Sequence, residues 1–276
     1  MRLLQEKIIS DLHVQPSIDP KKEIKRTISF LKNYLLANSK YQSYILAVSG
    51  GQDSTLAGKI AQTSINELNE KSDKKYKFIA VRQPYGKQLD EESAQLALKF
   101  IKPDKIVTTN IKTATDALTR ELRTTTGLKV DDKSQGSIKP KIRMIAQYAI
   151  ARENKGVVIG TDHAAEAFAG FFTKYGDGGT DIDPLWRLNK RQGKAMLKEL
   201  RAPEKLYKKT PTADLEMKNP LLPDEVALGV SYHDIDNYLE GKKVSKKAAE
   251  RIEKLYLSSK DKRHLPVNVY DTWWIK

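Results

Sequence analysis

Apolar and polar positions along the chain alternate between two periods. From Lys22 to Leu36, apolar residues return at helical spacing, with Ile24, Ile28, Leu31 and Leu35 on one stripe. Residues 1–42 therefore read as helical. Ile45-Leu46-Ala47-Val48 is a short, wholly apolar run, as expected of a strand buried on both faces. A glycine turn follows, then a helical stretch to about Leu68. The alternation repeats: strand Lys77–Val81, a helix opened by Asp90-Glu91-Glu92, strand Lys105–Thr109, and helix Ala114–Leu122. Residues 124–137 are polar and read as a mobile loop. Helix Ile138–Glu153 comes next, with Pro140 tolerated in its first turn. A fourth strand, Gly156–Gly160, leads to helix Asp162–Ala169, a glycine- and aspartate-rich loop Thr173–Pro184, and helices Asn189–Leu200 and Ser245–Leu257. Strands separated by helices predict an α/β fold with a parallel sheet covered on both faces. Such sheets bind ligands at the carboxyl ends of their strands.

Composition narrows the chemistry. The 276 residues include no cysteine, which excludes disulfides, Cys-ligated metal, a thiol nucleophile and a persulfide carrier. No run of roughly 18 apolar residues predicts a membrane span. The start, Met1 to Lys7, lacks the apolar core of a signal peptide, so a cytoplasmic protein is expected, with no membrane partner. Lys and Arg number 49 against 35 Asp and Glu, a net charge of 49 − 35 = +14. The basic residues are scattered among acids, and clusters such as Lys242-Lys243 are short. That field suits a small polyanion such as a nucleotide, and no nucleic-acid partner is expected.

Ser49-Gly50-Gly51-Gln52-Asp53-Ser54 follows the first strand and opens a helix. Paired glycines let the backbone approach an anion, and the helix start offers free N–H donors. Asp53 is out of place in a pure anion cradle and makes sense if a magnesium ion sits on bound phosphates. The residues alone also allow an ordinary turn with a capping Ser or Asp.

The string resembles the SGGxDS loop of the ATP pyrophosphatase superfamily. Further motifs follow in order: Ala80-Val81-Arg82-Gln83-Pro84-Tyr85-Gly86, Gly160-Thr161-Asp162-His163-Ala164-Ala165-Glu166, Phe171 to Gly179, Leu188-Asn189-Lys190-Arg191-Gln192-Gly193, Pro211-Thr212-Ala213-Asp214-Leu215 and Asp271-Thr272-Trp273-Trp274. Together they resemble the ammonia-dependent NAD synthetases over essentially the whole chain. The resemblance implies a single Rossmann-like domain of the adenine nucleotide alpha-hydrolase type, working as a homodimer. The implied reaction turns deamido-NAD, ATP and ammonia into NAD, AMP and pyrophosphate with Mg2+, through an adenylated nicotinate carboxylate.

Residue roles follow from the same resemblance. Ser49, Gly50, Gly51, Gln52, Asp53 and Ser54 would hold the ATP phosphates, and Arg82, Thr161, Lys190 and Thr212 would contact ATP. Asp53 and Glu166 would ligate Mg2+. Lys141, Lys174, Asp181, Asp261 and Lys262 would face deamido-NAD, with Asp177 and Lys190 on the ammonia side. The N-terminal helical region 1–42, carrying Phe30 and Tyr34, is the expected dimer element, though it could equally pack on its own sheet, and the tail 258–276 should lie near the substrate. The residues alone leave other readings open. Glu166 fits a solvated acid, Lys190-Arg191 a surface pair, Asp177 and Asp181 turn formers, and His163 an orienting or capping residue. Trp273 and Trp274 read as packing anchors.

The chain departs from the family pattern Asp-Phe-x-x-Gly-Asn-x-x-Ala-Arg at residues 132–141. Lys133 stands for the aromatic, Ser137 for Asn and Lys141 for Arg, and Asp261 replaces the His of a later His-Lys pair. All four fall on the dinucleotide side. They fit tolerated drift, compensation by neighbours, or another acceptor acid, so a related ATP pyrophosphatase acting on a different acid or on tRNA is the alternative.

Overall fold

The computed structural model describes residues 2–213 and 221–275. Asp214 and Leu215 of the fifth motif lie outside the described residues. Two helices open the chain, α1 (Leu3–Asp11) and α2 (Pro20–Ala37), so the helical reading of 1–42 is broken by a connection. Asp19 caps α2 by accepting from the backbone N–H groups of Lys21 and Lys22, and Pro20 takes the first helical position. Strand β1 (Ser43–Ala47), helix α3 (Gln52–Asn69), strand β2 (Lys77–Arg82), helix α4 (Glu91–Ile101) and strand β3 (Lys105–Thr108) follow. Helices α5 (Lys112–Thr126) and α6 (Asp132–Glu153) then lead to β4 (Gly156–Val158).

The four strands form a parallel sheet in the order β3-β2-β1-β4. The chain thus steps outward from β1 to β3, then crosses to the other side of β1. Ligands in open α/β sheets bind where the strand order reverses, here between the carboxyl ends of β1 and β4.

One sheet face is covered by α2, α3 and later helices. Tyr44, Leu46, Phe78 and Ala80 point into it and meet Leu31, Leu35, Leu56, Ile60 and Ile101. On the other face Ile45, Ile79, Val81 and Val158 meet Ala151, Tyr148 and Ile150 of α6. The α2 stripe Ile24, Ile28, Leu31 and Leu35 is buried in the molecule's own core, leaving Phe30 exposed.

The 124–137 segment is mostly helix. α5 runs to Thr126, and Asp131 caps α6 by accepting from Ser134 N–H, so only a short connection remains. Pro140 therefore sits inside α6, not in its first turn.

The rest of the chain is α7 (Ala164–Ala167), α8 (Lys190–Glu199), α9 (Glu204–Lys208), strands β5 (Thr212–Ala213) and β6 (Leu222–Pro223) as an antiparallel pair, α10 (Asp224–Leu228), α11 (Tyr232–Leu239) and α12 (Lys246–Ser258). A 3₁₀ turn spans Lys260–Arg263. A second apolar cluster joins α1, α7, α11 and α12 through Ile8, Leu12, Phe168, Ile235, Leu239 and Ile252. No helix among the described residues is long and apolar enough to cross a membrane.

Candidate active site

The phosphate loop leaves β1 and enters α3 under tight constraint. Gly50 has φ +87°, and a Cβ there would come within 2.4 Å of the Ala94 nitrogen on α4. Only glycine meets both demands. The Ser49 hydroxyl accepts from Gly51 N–H at 3.2 Å and lies 3.1 Å from the Ser54 hydroxyl. Thr55 Oγ1 donates to the Gly51 carbonyl at 2.6 Å. These bonds shape the loop around the free N–H groups that open α3.

Asp53 follows β1, and Glu166 lies in the single turn α7 beyond β4. They meet at the switch point around the Lys190 ammonium. Lys190 Nζ donates to Asp53 Oδ2 at 2.8 Å and Glu166 Oε1 at 2.9 Å, and lies 3.1 Å from His163 Nε2. His163 Nε2 is in turn 3.2 Å from Asp53 Oδ1 and 3.6 Å from Glu166 Oε1. His163 stands at the N-cap position of α7 but makes no side-chain cap bond; its ring instead faces Asp53, Glu166 and Lys190. Its Nδ1 is buried without a partner. The ligand atoms of Asp53, His163 and Glu166 lie within 4.8 Å of one another, close enough to share one metal ion.

Electrostatics follow the geometry. Burial works to raise the Asp53 carboxyl, but the charges of Lys190 and His163 overrule it and hold it well below the usual range. Burial works to lower Lys190, and Asp53 and Glu166 hold it well above its ordinary value. Burial works to lower His163 too, and Glu166 foremost raises it. Asp162, buried beside Asp183, is pushed well up by desolvation.

Lys190 is placed by its own motif, by Gln52 and by residues of α11 that sequence reading missed. A capping box of Asn189 and Gln192 starts α8. Asp236 of α11 accepts from Lys190 N–H at 3.1 Å and Arg191 N–H at 2.9 Å. Gln52 Nε2 donates to the Lys190 carbonyl at 2.9 Å, tying the phosphate loop to α8. The Tyr232 ring lies 4.9 Å from Lys190 Nζ, and its hydroxyl donates to Asp224 Oδ2 at 3.1 Å. Asp224 Oδ1 is buried without a partner, and burial lifts this carboxyl to about 6.

A cleft with about 1040 Å³ of space, open solvent included, lies against these groups. Ser49, Gly51, Gln52, Asp53, Glu166, Lys190 and Thr212 line it, as do Gln83, Arg143, Lys209 and Asp224, which were not expected. Gly50, Ser54, Arg82 and Thr161 are not in that lining. Arg82 is buried, and its guanidinium grips Glu91 and Gln88 at the start of α4, 2.6 Å from Glu91 Oε1 and 2.9 Å from Gln88 Oε1. Lys141 gives its ammonium to the Ser137 carbonyl of its own helix at 3.0 Å, while Arg143, two residues on, reaches the cleft.

The other dinucleotide-side residues gather elsewhere. Lys262 Nζ donates to the carbonyls of Gly170 and Phe172, each at 2.7 Å, and Lys174 Nζ to the Asp261 carbonyl at 2.7 Å. Asp177 accepts from Thr173 N–H at 3.0 Å. The start of the tail thus binds the glycine-rich loop. Asp181 instead accepts from Val158 N–H at 2.8 Å and Tyr148 at 3.1 Å, fastening that loop to β4. Trp273 stacks on His264 and packs the end of the tail back on its start, whereas Trp274 stays exposed and anchors nothing.

A sequence model of the NAD synthase family matches residues 23–266. The chain belongs to the NAD synthase family. The NH(3)-dependent NAD(+) synthetase of Lactobacillus gasseri is 57% identical over 277 residues, covering 100% of both chains. The crystal structure of NAD+ synthetase from Burkholderia pseudomallei superposes with a TM-score of 0.81 at 42% identity, over 95% of this chain and 96% of that one. NMN synthetase from Francisella tularensis superposes at 0.80 with 30% identity, over 92% of this chain and 100% of that one. The NAD synthase fold is the Rossmann-like α/β sheet described above.

Proposed function

We propose that the protein amidates deamido-NAD with ammonia, consuming ATP and releasing AMP and pyrophosphate. The observation that carries this is the meeting of Asp53, Glu166 and Lys190 beside the phosphate loop, at the point where the strand order reverses. Ser49, Gly50, Gly51, Gln52 and Ser54 cradle the phosphates with backbone N–H and hydroxyl donors. Lys190, beside the loop, and Thr212 also contact ATP, with Thr161 and Arg82 supporting from the strand ends.

The donor set fits Mg2+. Two carboxylates face one point, and a cation, the Lys190 ammonium, already stands there. Asp53 and Glu166 would hold the ion. When bound, it neutralises charge on the phosphates. The chain's own groups supply the rest. The loop N–H groups and Lys190 stabilise charge on the α- and β-phosphates as pyrophosphate leaves. The nicotinate carboxylate takes the adenylyl group, and ammonia then attacks its carbonyl carbon, expelling AMP. No enzyme nucleophile is required, so catalysis rests on positioning. Lys174, Asp177, Asp181, Asp261, Lys262 and Lys141 form the acceptor and ammonia side.

We further propose a homodimer in the cytoplasm. Because α2 spends its apolar stripe on its own core, Ile106, Leu118 and Ile145, exposed on β3, α5 and α6, are the better interface candidates.

The test supplies ATP, Mg2+, ammonium and deamido-NAD and follows NAD and AMP together. Equal amounts of both are expected. AMP without NAD, or neither, would sink the reading. Because an NMN synthetase shares the fold and Lys133, Ser137, Lys141 and Asp261 depart from the family pattern, the deamido mononucleotide is assayed in parallel, and its amidation should be much slower.

A further inference from the structure

We propose that Lys190 is a tethered counter-ion. Its ammonium occupies the divalent-cation seat while no nucleotide is bound, and yields it when the cation arrives with ATP. This rests on the reading of Asp53 and Glu166 as the cation's ligands.

Three distances carry the inference. Lys190 Nζ stands 2.8 Å from Asp53, 2.9 Å from Glu166 and 3.1 Å from His163. Those three donor atoms are themselves within 4.8 Å of one another. The ammonium is therefore centred among the groups a metal would need. A divalent ion cannot share that point, because a third positive charge would lie within bonding distance of it in a buried pocket. The two carboxylates cannot be left bare either, since unpaired buried charge is costly. One cation must replace the other.

The lysine has somewhere to go. Its stem is flexible, the Tyr232 ring face lies 4.9 Å from Nζ, and the cleft beyond is walled by the phosphate loop and Thr212. A triphosphate in that cleft would receive the displaced ammonium. Every charge then stays paired throughout the exchange. Metal and nucleotide should consequently strengthen each other's binding, while metal alone binds weakly.

The experiment uses the full-length protein and Mn2+, with free Mn2+ read by electron paramagnetic resonance. Wild type should bind Mn2+ weakly alone and at least about tenfold more tightly with an ATP analogue whose α–β bridge is methylene. Lys190→Met should bind Mn2+ alone at least about tenfold more tightly than wild type, and adding Glu166→Gln should erase the gain. Lys190→Met binding no tighter than wild type overturns the exchange. Should neither Lys190→Met nor Lys190→Gln fold, wild type labelled with 15N-lysine decides. The Lys190 Nζ resonance must shift when Mg2+ and the analogue are added, and an unmoved resonance overturns the exchange. The assay needs no acceptor, so an enzyme that makes NAD while failing this test refutes only the exchange. Tight Mn2+ binding by Lys190→Met, with wild type releasing AMP but forming no NAD, refutes only the acceptor.

Discussion

Asp53 is bound from two directions at once, by Lys190 at 2.8 Å and His163 at 3.2 Å, and still faces the cleft. Its value lies in its charge. Asp53→Asn keeps the shape and removes the charge, so turnover should fall at least about 100-fold, the usual scale for losing a group that balances transition-state charge. Steady-state rates at saturating ATP and Mg2+ check this, and surviving turnover would end the metal assignment. Asp53 and Glu166 were legible because each sits a few residues beyond an apolar strand within a distinctive string. Asp236, Asp224 and Tyr232 were not. Asp236 and Tyr232 come from a stretch whose residues, Tyr232-His233-Asp234-Ile235-Asp236-Asn237-Tyr238-Leu239, suggest a polar surface, and only tertiary packing turns Asp236 toward the start of α8, while Asp224 opens α10 and reaches the cleft only through the fold. Arg143 was passed over because Lys141 stands at the arginine of the family pattern, whereas in the fold Arg143 lines the cleft and Lys141 bonds to its own helix.

Elements transmit the constraint from fold to site. The phosphate loop is held open by the crossing of α4, whose backbone at Ser93 and Ala94 leaves no room for a side chain on Gly50. Gly50→Ala should therefore act twice. A left-handed backbone carrying a Cβ costs about 1–2 kcal/mol, and the 2.4 Å contact must push α4 away. We expect loss of at least about 3 kcal/mol in urea unfolding, with ATP binding weakened beyond what stability explains. Gly51 meets nothing closer than the Ser49 hydroxyl at 3.4 Å, so Gly51→Ala should leave stability far less altered and serves as the control. The four strands of the parallel sheet and α3 were readable to within a residue or two from their apolar runs, while the two-residue strands β5 and β6 are too short to leave a pattern and were not read. The α5–α6 connection was misread because Pro140 suggested a helix start. The true start was the Asp131 cap nine residues earlier in a polar stretch, which leaves the proline inside α6.

For the whole molecule, the net charge of +14 and a set of buried carboxylates pull stability in opposite directions with pH. Protonating ordinary acids raises an already positive charge and destabilises the compact state. Asp183 and Asp236 behave otherwise, since burial lifts each to about 6. A carboxyl raised on folding binds its proton more tightly in the native state. Between its unfolded value near 3.8 and about 6, the native state holds the extra proton, so stability falls as pH rises through that window and is level above it. Asp53, held low, has the opposite sign, and its contribution is lost only as pH falls below its unfolded value. The two effects occupy different windows and can be separated. Asp183 accepts from Thr180 Oγ1 at 3.0 Å, and an amide oxygen can accept the same bond. Asp183→Asn therefore removes the titration and little else. Urea unfolding of both proteins at pH 4 and pH 7 subtracts the shared repulsion of the +14 surface. On going to pH 7, wild type should lose on the order of 1 kcal/mol or more relative to Asp183→Asn. Parallel pH profiles for the two proteins would mean that Asp183 stays ionised in the fold. The packing of Thr180 and Asp183 against Gly160, at the end of β4 beside the site, would then have to tolerate a buried charge.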